Sequence, residues 1–299
     1  MTSSGIHRHE VTGVAFAVLA AVAFGTLAIS AKLAYRAGVE ALPLLAARFT
    51  LSAILLAAYN RARGIKISVD KRRFTRLIFG GGFLYGLEAS LFFSALTRAP
   101  AAVVGLVFYS YPIWTTLLGF MMRIEPFRWS TIAALVLGGS GVALVFSLPE
   151  TSLAGPLLAV AAAIMVAIYL IYMQLVLRDV EASVAAMWTT AGSAVAFIAA
   201  SLVTGQSFPA AAIGPSLSLA FASSIAFVAL FQAITRIGSA RSSIAAMLEP
   251  VTTLILAAIF LGEELGPRIL LGGALIVAVL PVLAASGREE SGMPAADTL

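Results

Sequence analysis

The sequence contains no cysteine, two histidines and very little charge. Only 11% of its 299 residues are Asp, Glu, Lys or Arg. The absence of cysteine excludes thiolate catalysis, Cys-ligated zinc and disulfides. The shortage of charge excludes a soluble domain, because soluble proteins carry about 25% charged residues to cover their surface.

What the sequence has in excess is apolar residues, which make up 61% of the chain and give a mean hydropathy of +1.01. Ten apolar runs have the length of a membrane span, and turn or charge signals such as Leu148-Pro149-Glu150 separate them. These runs predict an all-α polytopic membrane protein with ten transmembrane helices. The predicted spans are 11–35, 41–58, 77–97, 101–122, 128–148, 153–177, 183–204, 216–235, 240–261 and 268–285.

An internal repeat divides the chain into two halves. A shift of 138 positions places Phe93–Arg98 on Phe231–Arg236, and a shift of 142 places Gly13 on Gly155. Because each half holds five spans, an odd number, the second half is predicted to enter the membrane from the opposite side, as in transporters with inverted repeats. The predicted division is a cytoplasmic N-terminal segment, two five-helix repeats and a disordered cytoplasmic tail, at 1–10, 11–148, 153–285 and 286–299.

The distribution of Lys and Arg predicts the orientation. With a cytoplasmic N-terminus, 14 of the 19 basic residues fall on the inside, seven of them in the segment 61–76. The positive-inside rule therefore places both termini in the cytoplasm. The run 61–76 is interpreted as a topology signal that contacts lipid headgroups, with binding of an anionic lipid or a regulator as the alternative. Nucleic acid is not an expected partner, because the basic residues lie in short loops between apolar runs.

Four charged residues lie inside predicted spans: Lys32, Arg48, Glu88 and Glu249. Each costs at least about 2.5–3.5 kcal/mol at the bilayer centre, so each needs a partner or a water-filled cavity. Counting along the spans places all but Lys32 near the midplane. Lys32 and Arg48 are interpreted as helix-bracing or cavity charges. Glu88 and Glu249 are interpreted as groups that contact the substrate or carry a proton, with pairing to a basic residue as the structural alternative.

Aromatic residues accompany these carboxylates. Tyr85 and Phe92 have the spacing that places them on the helix face of Glu88, and Tyr111 is the repeat counterpart of Glu249. The predicted substrate-binding set, with packing as the alternative role for each aromatic residue, is Tyr85, Glu88, Phe92, Tyr111, Trp188 and Glu249.

Two prolines occupy equivalent positions of spans four and nine. Pro112 and Pro250 are predicted to kink these helices and to act as hinges or gates, with a static bend as the alternative. Glycine clusters such as Gly80-Gly81-Gly82 favour close helix packing rather than phosphate binding. No phosphate-binding loop is present, and His7 and His9, in an N-terminus expected to be flexible, offer no metal site. Neither a cofactor nor a metal is therefore predicted.

These residues resemble the drug/metabolite transporter superfamily, in particular its ten-helix EamA-type exporters. Arg48-Phe49 is similar to the family's Arg-Phe signature, and Glu249-Pro250 with the later Leu261-Gly262-Glu263 is similar to its Glu-Pro and Leu-Gly-Glu pattern. The first repeat departs from that pattern, with Tyr111-Pro112 at the equivalent place. The resemblance covers about residues 11–285 and implies an inner-membrane carrier built from two inverted repeats.

The function that the resemblance implies is export of a small molecule from a bacterium. Family members export amino acids, related metabolites or cationic drugs. An aromatic and carboxylate lining suits a zwitterion, so the expected substrate is an amino acid, neutral or aromatic, carried by alternating access. Efflux of hydrophobic cationic drugs or of other small metabolites is the alternative, and an intramembrane enzyme or receptor is a remote one, because no catalytic cluster lies in the spans. A monomer is expected, in contact with membrane lipid.

Overall fold

The computed structural model of the chain is helical. It describes residues 3–36, 38–96, 98, 104, 107–124, 129–145, 153–206, 213–261, 267–279 and 281–282, and these residues include no β-strand. The predicted all-α class is confirmed. Predictions for residues 1–2 and for the tail 286–299 lie outside the described residues.

Eleven α-helices and one π-helix can be followed through the described part of the chain. The first six elements are α1 (Ser3–Arg36), α2 (Ala41–Ala62), the short α3 (Lys71–Thr75), the π-helix π1 (Arg76–Gly82), α4 (Phe83–Leu96) and α5 (Tyr111–Met121). The remaining six are α6 (Trp129–Val145), α7 (Ala154–Val176), α8 (Ala182–Thr204), α9 (Ile213–Ala245), α10 (Leu248–Leu261) and α11 (Pro267–Val277).

Each of the ten predicted spans contains a helix, as far as its residues are described. Five of these helical segments are long and apolar enough by themselves to cross a membrane: His9–Ala31, Ala41–Ala62, Ala154–Val176, Ala182–Thr204 and Ile213–Ala245. Several boundaries differ from the prediction by a few residues, and two differ more. α1 begins at Ser3, so His7 and His9 belong to a helix rather than to a flexible segment. α9 continues past the predicted end at residue 235 into the ninth predicted span.

Helices from the two halves pack antiparallel against each other. α2 lies along α8, with Phe49 stacked on Phe197 at 5.6 Å and Asn60 hydrogen-bonded to Ser183 farther along. α6 lies along α11, and α1 lies along α9, in the same antiparallel sense. α2 with α8 and α6 with α11 are equivalent elements of the two halves, and their antiparallel contact is the geometry that an inverted repeat requires.

One pair of contacts shows the repeat relationship directly. The Ser30 hydroxyl of α1 lies 3.1 Å from the Ser218 hydroxyl of α9. The repeat shifts carry Ser30 to Tyr172 and Ser218 back to Gly80, and Tyr172 of α7 packs directly against Gly80 of π1. The interface between α1 and α9 is therefore reproduced by the interface of α7 with π1 and α4.

Glycines allow two of these interfaces to close to backbone contact. A Cβ atom at Gly82 would lie 2.8 Å from the Cα atom of Gly192, and a Cβ atom at Gly141 would lie 2.6 Å from the carbonyl oxygen of Gly272. Neither separation leaves room for a side chain. The role predicted for the glycine clusters is therefore confirmed at these positions.

Spans four and nine are interrupted rather than continuous. Residues Tyr109 and Ser110 form a turn immediately before α5, and Ala246 and Met247 form a turn immediately before α10. A third irregularity lies at Gly238, whose φ of 79° and ψ of 169° redirect the last residues of α9. The positive φ is readily adopted by glycine alone, so this bend depends on the missing side chain.

Candidate functional site

Arg48 lies at the centre of the candidate site. It is carried by α2 and is only 6% exposed. Its Nε atom donates a hydrogen bond of 2.6 Å to the Ser223 hydroxyl of α9, and its guanidinium lies 4.8 Å from the centroid of the Phe49 ring. Its Nη2 atom has no hydrogen-bond partner among the described residues. Arg48 thus braces α2 against α9 and still has a buried donor to offer.

Glu88 lies on α4, where Tyr85 and Phe92 share its face, as predicted. It is buried, at 5% exposure, and lies within electrostatic reach of both Arg48 and Glu249. No ion pair shorter than 4.0 Å joins these three charges in the part of the chain that the structure describes. The three charged side chains therefore lie near one another inside the bundle without forming a direct salt bridge.

Aromatic rings from both halves enclose one side of this interior. Tyr85 meets Phe49 edge to face at 5.7 Å, Phe227 at 5.0 Å and Tyr169 at 5.2 Å. These ring distances are those of favourable aromatic pairs. The hydroxyl of Tyr169 is buried and has no hydrogen-bond partner within the described residues.

A second aromatic group closes the other side. Phe92 packs on Phe108 at 4.7 Å, and Phe108 lies 5.5 Å from Tyr111. Tyr111 is buried, and its hydroxyl donates to the Ser243 carbonyl oxygen at 3.5 Å. The structure therefore brings Tyr85, Phe92 and Tyr111 to the same interior as Glu88.

Glu249 enters the site from the start of α10. Its carboxyl group interacts with the hydroxyl of Tyr109 and lies within reach of Arg48. Its backbone packs against α1, because a Cβ atom at Gly25 would lie 2.9 Å from the Glu249 carbonyl oxygen. This close contact with α1 fixes the position of the Glu249 backbone and therefore the point from which its side chain extends.

Pro112 and Pro250 lie in the first turns of α5 and α10, directly after the two turns that interrupt spans four and nine. A proline is readily accommodated in the first turn of a helix, where the missing N–H group would have no helical partner. Both prolines therefore mark equivalent breaks, one beside Tyr111 and one beside Glu249. Movement at these breaks is not shown by the geometry and stays a prediction.

Two predicted residues are not brought into this group. Trp188 lies near the start of α8, where its indole N–H donates to the Ile67 carbonyl oxygen at 3.0 Å and its ring meets Phe74 edge to face at 5.0 Å. Its contacts are with the segment that precedes α4, not with Glu88 or Glu249. The side chain of Lys32 lies outside the part of the chain that the structure describes.

Sequence reasoning missed Ser223, Phe227 and the role of Tyr169. The repeat contained a signal for one of them, because Ser223 is the counterpart of Tyr85 under the shift of 138 positions. The other two are an ordinary Phe and an ordinary Tyr in apolar helices. Only their packing against Tyr85 and Phe231 distinguishes them.

The fold and site define a polytopic helical membrane transporter in which two repeats enclose a polar, aromatic-lined centre. The EamA-like transporter family matches the chain twice, at residues 11–147 and 153–284. The chain belongs to this family and is a transporter rather than an enzyme. The predicted two-repeat organisation and the resemblance to the drug/metabolite transporter superfamily are confirmed.

Two similar proteins add detail. The chain is 31% identical over 102 residues to the aromatic amino acid exporter YddG of Ancylobacter novellus, a match that covers 34% of this chain and 35% of that protein. The matched stretch thus spans about a third of that relative. A crystal structure of a protein superposes with a TM-score of 0.79 at 20% identity, over 94% of this chain and 99% of the other. At that identity the superposition shows the fold alone.

Proposed function

We propose that the protein exports amino acids with neutral or aromatic side chains across the bacterial cytoplasmic membrane by alternating access. The observation that carries the proposal is a buried cation, Arg48, with an unpartnered donor, enclosed with the carboxylates of Glu88 and Glu249 by aromatic rings. A zwitterion carries one charge of each sign, and an apolar side chain packs well on aromatic rings. The name of the partial relative supports the same substrate class.

In this proposal the charged side chains bind different groups of the substrate. Arg48 Nη2 receives the substrate carboxylate, and Glu88 or Glu249 receives the ammonium group. Tyr85, Phe92 and Tyr111 contact the side chain. Arg48, Glu88 and Tyr111 are buried in the present conformation. The other three groups are half-buried, so the helices must move before a substrate can enter. The breaks before Pro112 and Pro250 supply the bending, which makes the two prolines hinges.

The proposal includes the topology predicted from the charges. Both termini lie in the cytoplasm, residues 11–148 and 153–285 form the two repeats, and the carrier functions as a monomer because one chain already supplies both halves of the site. Cysteine-accessibility labelling in intact cells tests the orientation, since the native chain has no cysteine to interfere.

Transport by the purified protein tests the function. Proteoliposomes loaded with labelled phenylalanine are expected to release it in a protein-dependent manner, and unlabelled neutral amino acids are expected to compete. Release of none of a broad amino-acid panel would contradict the proposal.

A hydrophobic cation is the second candidate substrate, favoured by the presence of two carboxylates within reach of a single buried arginine. Aromatic rings also stabilise cations through their faces. Arg48→Gln separates the two candidates. The substitution should abolish transport of an amino acid, because the substrate carboxylate loses its partner. It should preserve transport of a quaternary amine, which has no carboxylate.

A further inference from the structure

A groove on the outside of the bundle lies apart from the transport site. It has a volume of about 640 Å³ and is lined by Lys71, Arg72, Thr75, Arg76, Phe79, Gly80 and Tyr172. It lies at the end of the bundle that contains α3, where the chain enters π1. We propose that this groove binds one anionic phospholipid, with the phosphate on the cations and an acyl chain along the exposed phenylalanines.

Within the described part of the chain, the cations in the groove have no acidic partner of their own. The acid next to them in the sequence, Asp70, pairs with Arg73 at 3.4 Å and also accepts a hydrogen bond from the Arg73 backbone. No ion pair involves Lys71, Arg72 or Arg76 among the described residues. Three unneutralised cations on one groove favour an anionic ligand, and Arg is well suited to a phosphate because its N–H groups match phosphate oxygens in pairs.

The shape of the groove depends on the π-helix. The wider turn of π1 brings Gly80 directly against the ring of Tyr172, where a Cβ atom would lie 2.1 Å from the tyrosine oxygen. The Tyr172 hydroxyl donates to the Arg76 carbonyl oxygen at 2.7 Å. Tyr172 thereby forms a fixed inner wall and holds the backbone of Arg76, so that the groove is built by α7 and π1 together.

The apolar side of the groove favours a lipid as the ligand rather than a soluble anion. Phe79 is 73% exposed and Phe83, one turn farther along, is 59% exposed. Arg72, Arg76 and Phe79 all line the groove, and Phe83 follows Phe79 at the start of α4. A stripe that begins with cations and continues with exposed aromatic rings matches a lipid, whose phosphate lies at the surface and whose chains extend into the hydrocarbon.

The experiment measures lipid binding to the purified, delipidated full-length protein by native mass spectrometry. Dioleoylphosphatidylglycerol is titrated against dioleoylphosphatidylcholine, and soluble glycerol phosphate is the competitor that tests the headgroup alone. One phosphatidylglycerol is expected to bind at least about tenfold more tightly than phosphatidylcholine, since each nearby cation contributes about a factor of five. Glycerol phosphate should not displace it.

Two double variants with the same loss of charge locate the site. Arg72→Gln with Arg76→Gln should weaken binding of phosphatidylglycerol by about thirtyfold. Arg61→Gln with Arg63→Gln, in the same basic segment but outside the groove, should leave it within about twofold. Phe79→Ser keeps all the cations and should also weaken lipid binding, which provides a test even if the groove double variant fails to fold.

Three results would overturn the proposal. Equal losses in the two double variants would mean that surface charge as a whole attracts the lipid. Equal binding of the zwitterionic lipid would remove the role of the cations. Displacement by glycerol phosphate at the concentration of the lipid would identify a soluble-anion site instead.

Discussion

Arg48 donates its Nε hydrogen to the Ser223 hydroxyl across 2.6 Å, and Ser223 is the counterpart, in the second repeat, of Tyr85 in the first. Tyr85 also lies close to the Arg48 guanidinium. A single arginine therefore sits between equivalent positions of two inverted halves. Its own counterpart, Thr190, bonds only to carbonyl oxygens of α8, so the symmetry of the fold is broken at this residue.

This relationship predicts that Ser223→Ala destabilises the protein. The substitution leaves the buried Nε donor of Arg48 without its partner, and a hydrogen bond to a charged group contributes about 1.5–3 kcal/mol. Thermal unfolding in detergent should show a clear decrease in Tm. The matched control is Ser224→Ala, because the Ser224 hydroxyl bonds only to the Ala220 carbonyl oxygen of its own helix. Equal decreases for the two variants would show that Arg48 does not depend on Ser223.

Glu88→Gln should reduce amino-acid transport by at least about tenfold while leaving the fold intact. The amide has the volume of the carboxylate but cannot pair with an ammonium group, and a charged hydrogen bond is worth more than a factor of ten. Rates of phenylalanine release from proteoliposomes provide the measurement. Glu40→Gln is the control, since Glu40 is exposed and its side chain makes no capping bond at the start of α2. Normal transport by Glu88→Gln would remove this carboxylate from the site.

Glu249→Gln should have a different signature. Glu249 interacts with the Tyr109 hydroxyl next to the break before α5, so we expect its charge to stabilise the contact between the two interrupted spans as well. We expect lower transport together with a lower Tm, whereas Glu88→Gln lowers transport alone. Identical effects of the two variants on both measurements would contradict a separate structural role for Glu249.

The contact between Gly82 and Gly192 predicts a steep dependence on side-chain size. Gly82→Ala places a Cβ atom 2.8 Å from the Gly192 Cα atom, and α8 must move away from π1 to accept it. Overpacking of this kind costs about 1–3 kcal/mol. Gly86→Ala has nothing within 4 Å of its Cβ atom and should be neutral or slightly stabilising, because alanine favours a helix. A chemical or thermal unfolding series that ranks the two variants in the opposite order would contradict this packing.

The ion pair between Glu10 and Arg241 predicts a conformational effect. The two side chains meet at 3.0 Å with exposures of 14% and 9%, and they join α1 of the first repeat to the segment after the Gly238 bend in the second. Glu10→Gln should loosen this end of the bundle and increase the labelling rate of a reporter, Ser242→Cys, at a position that is fully buried. An unchanged rate would show that the pair does not hold this end closed.

Much of the architecture could be predicted because it depends on local periodicity and on length. Apolar runs predict spans whatever their partners are, and an odd number of spans in each repeat fixes the antiparallel pairing. Tyr85, Glu88 and Phe92 share a helix face for the same reason. The bend at Gly238 could not be predicted, because the neighbouring Ser239 N–H bonds to Gln174 Oε1 at 2.6 Å, a contact between distant parts of the chain that the local sequence does not indicate.

The composition of the site was harder to predict than its existence. Trp188 and Tyr85 are both aromatic residues in apolar helices, and although Tyr85 shares a helix face with Glu88, the sequence does not show which helices either residue contacts. The difference arises from tertiary contacts: Trp188 is held by the Ile67 carbonyl oxygen, whereas Tyr85 faces Arg48. Periodicity predicts which residues share a helix face. It does not predict which helix packs against that face, because the packing helix is more than a hundred residues away in the sequence.

The pairing of α1 with α9 also has a consequence for biosynthesis. α1 is translated well before α9, the helix that covers its close-packed and polar positions, Gly13 and Ser30. Until α9 is inserted, the face of α1 that carries Gly13 and Ser30 is not covered by it. Insertion can therefore proceed helix by helix, but tertiary folding of the first half cannot be completed until the second half has been made.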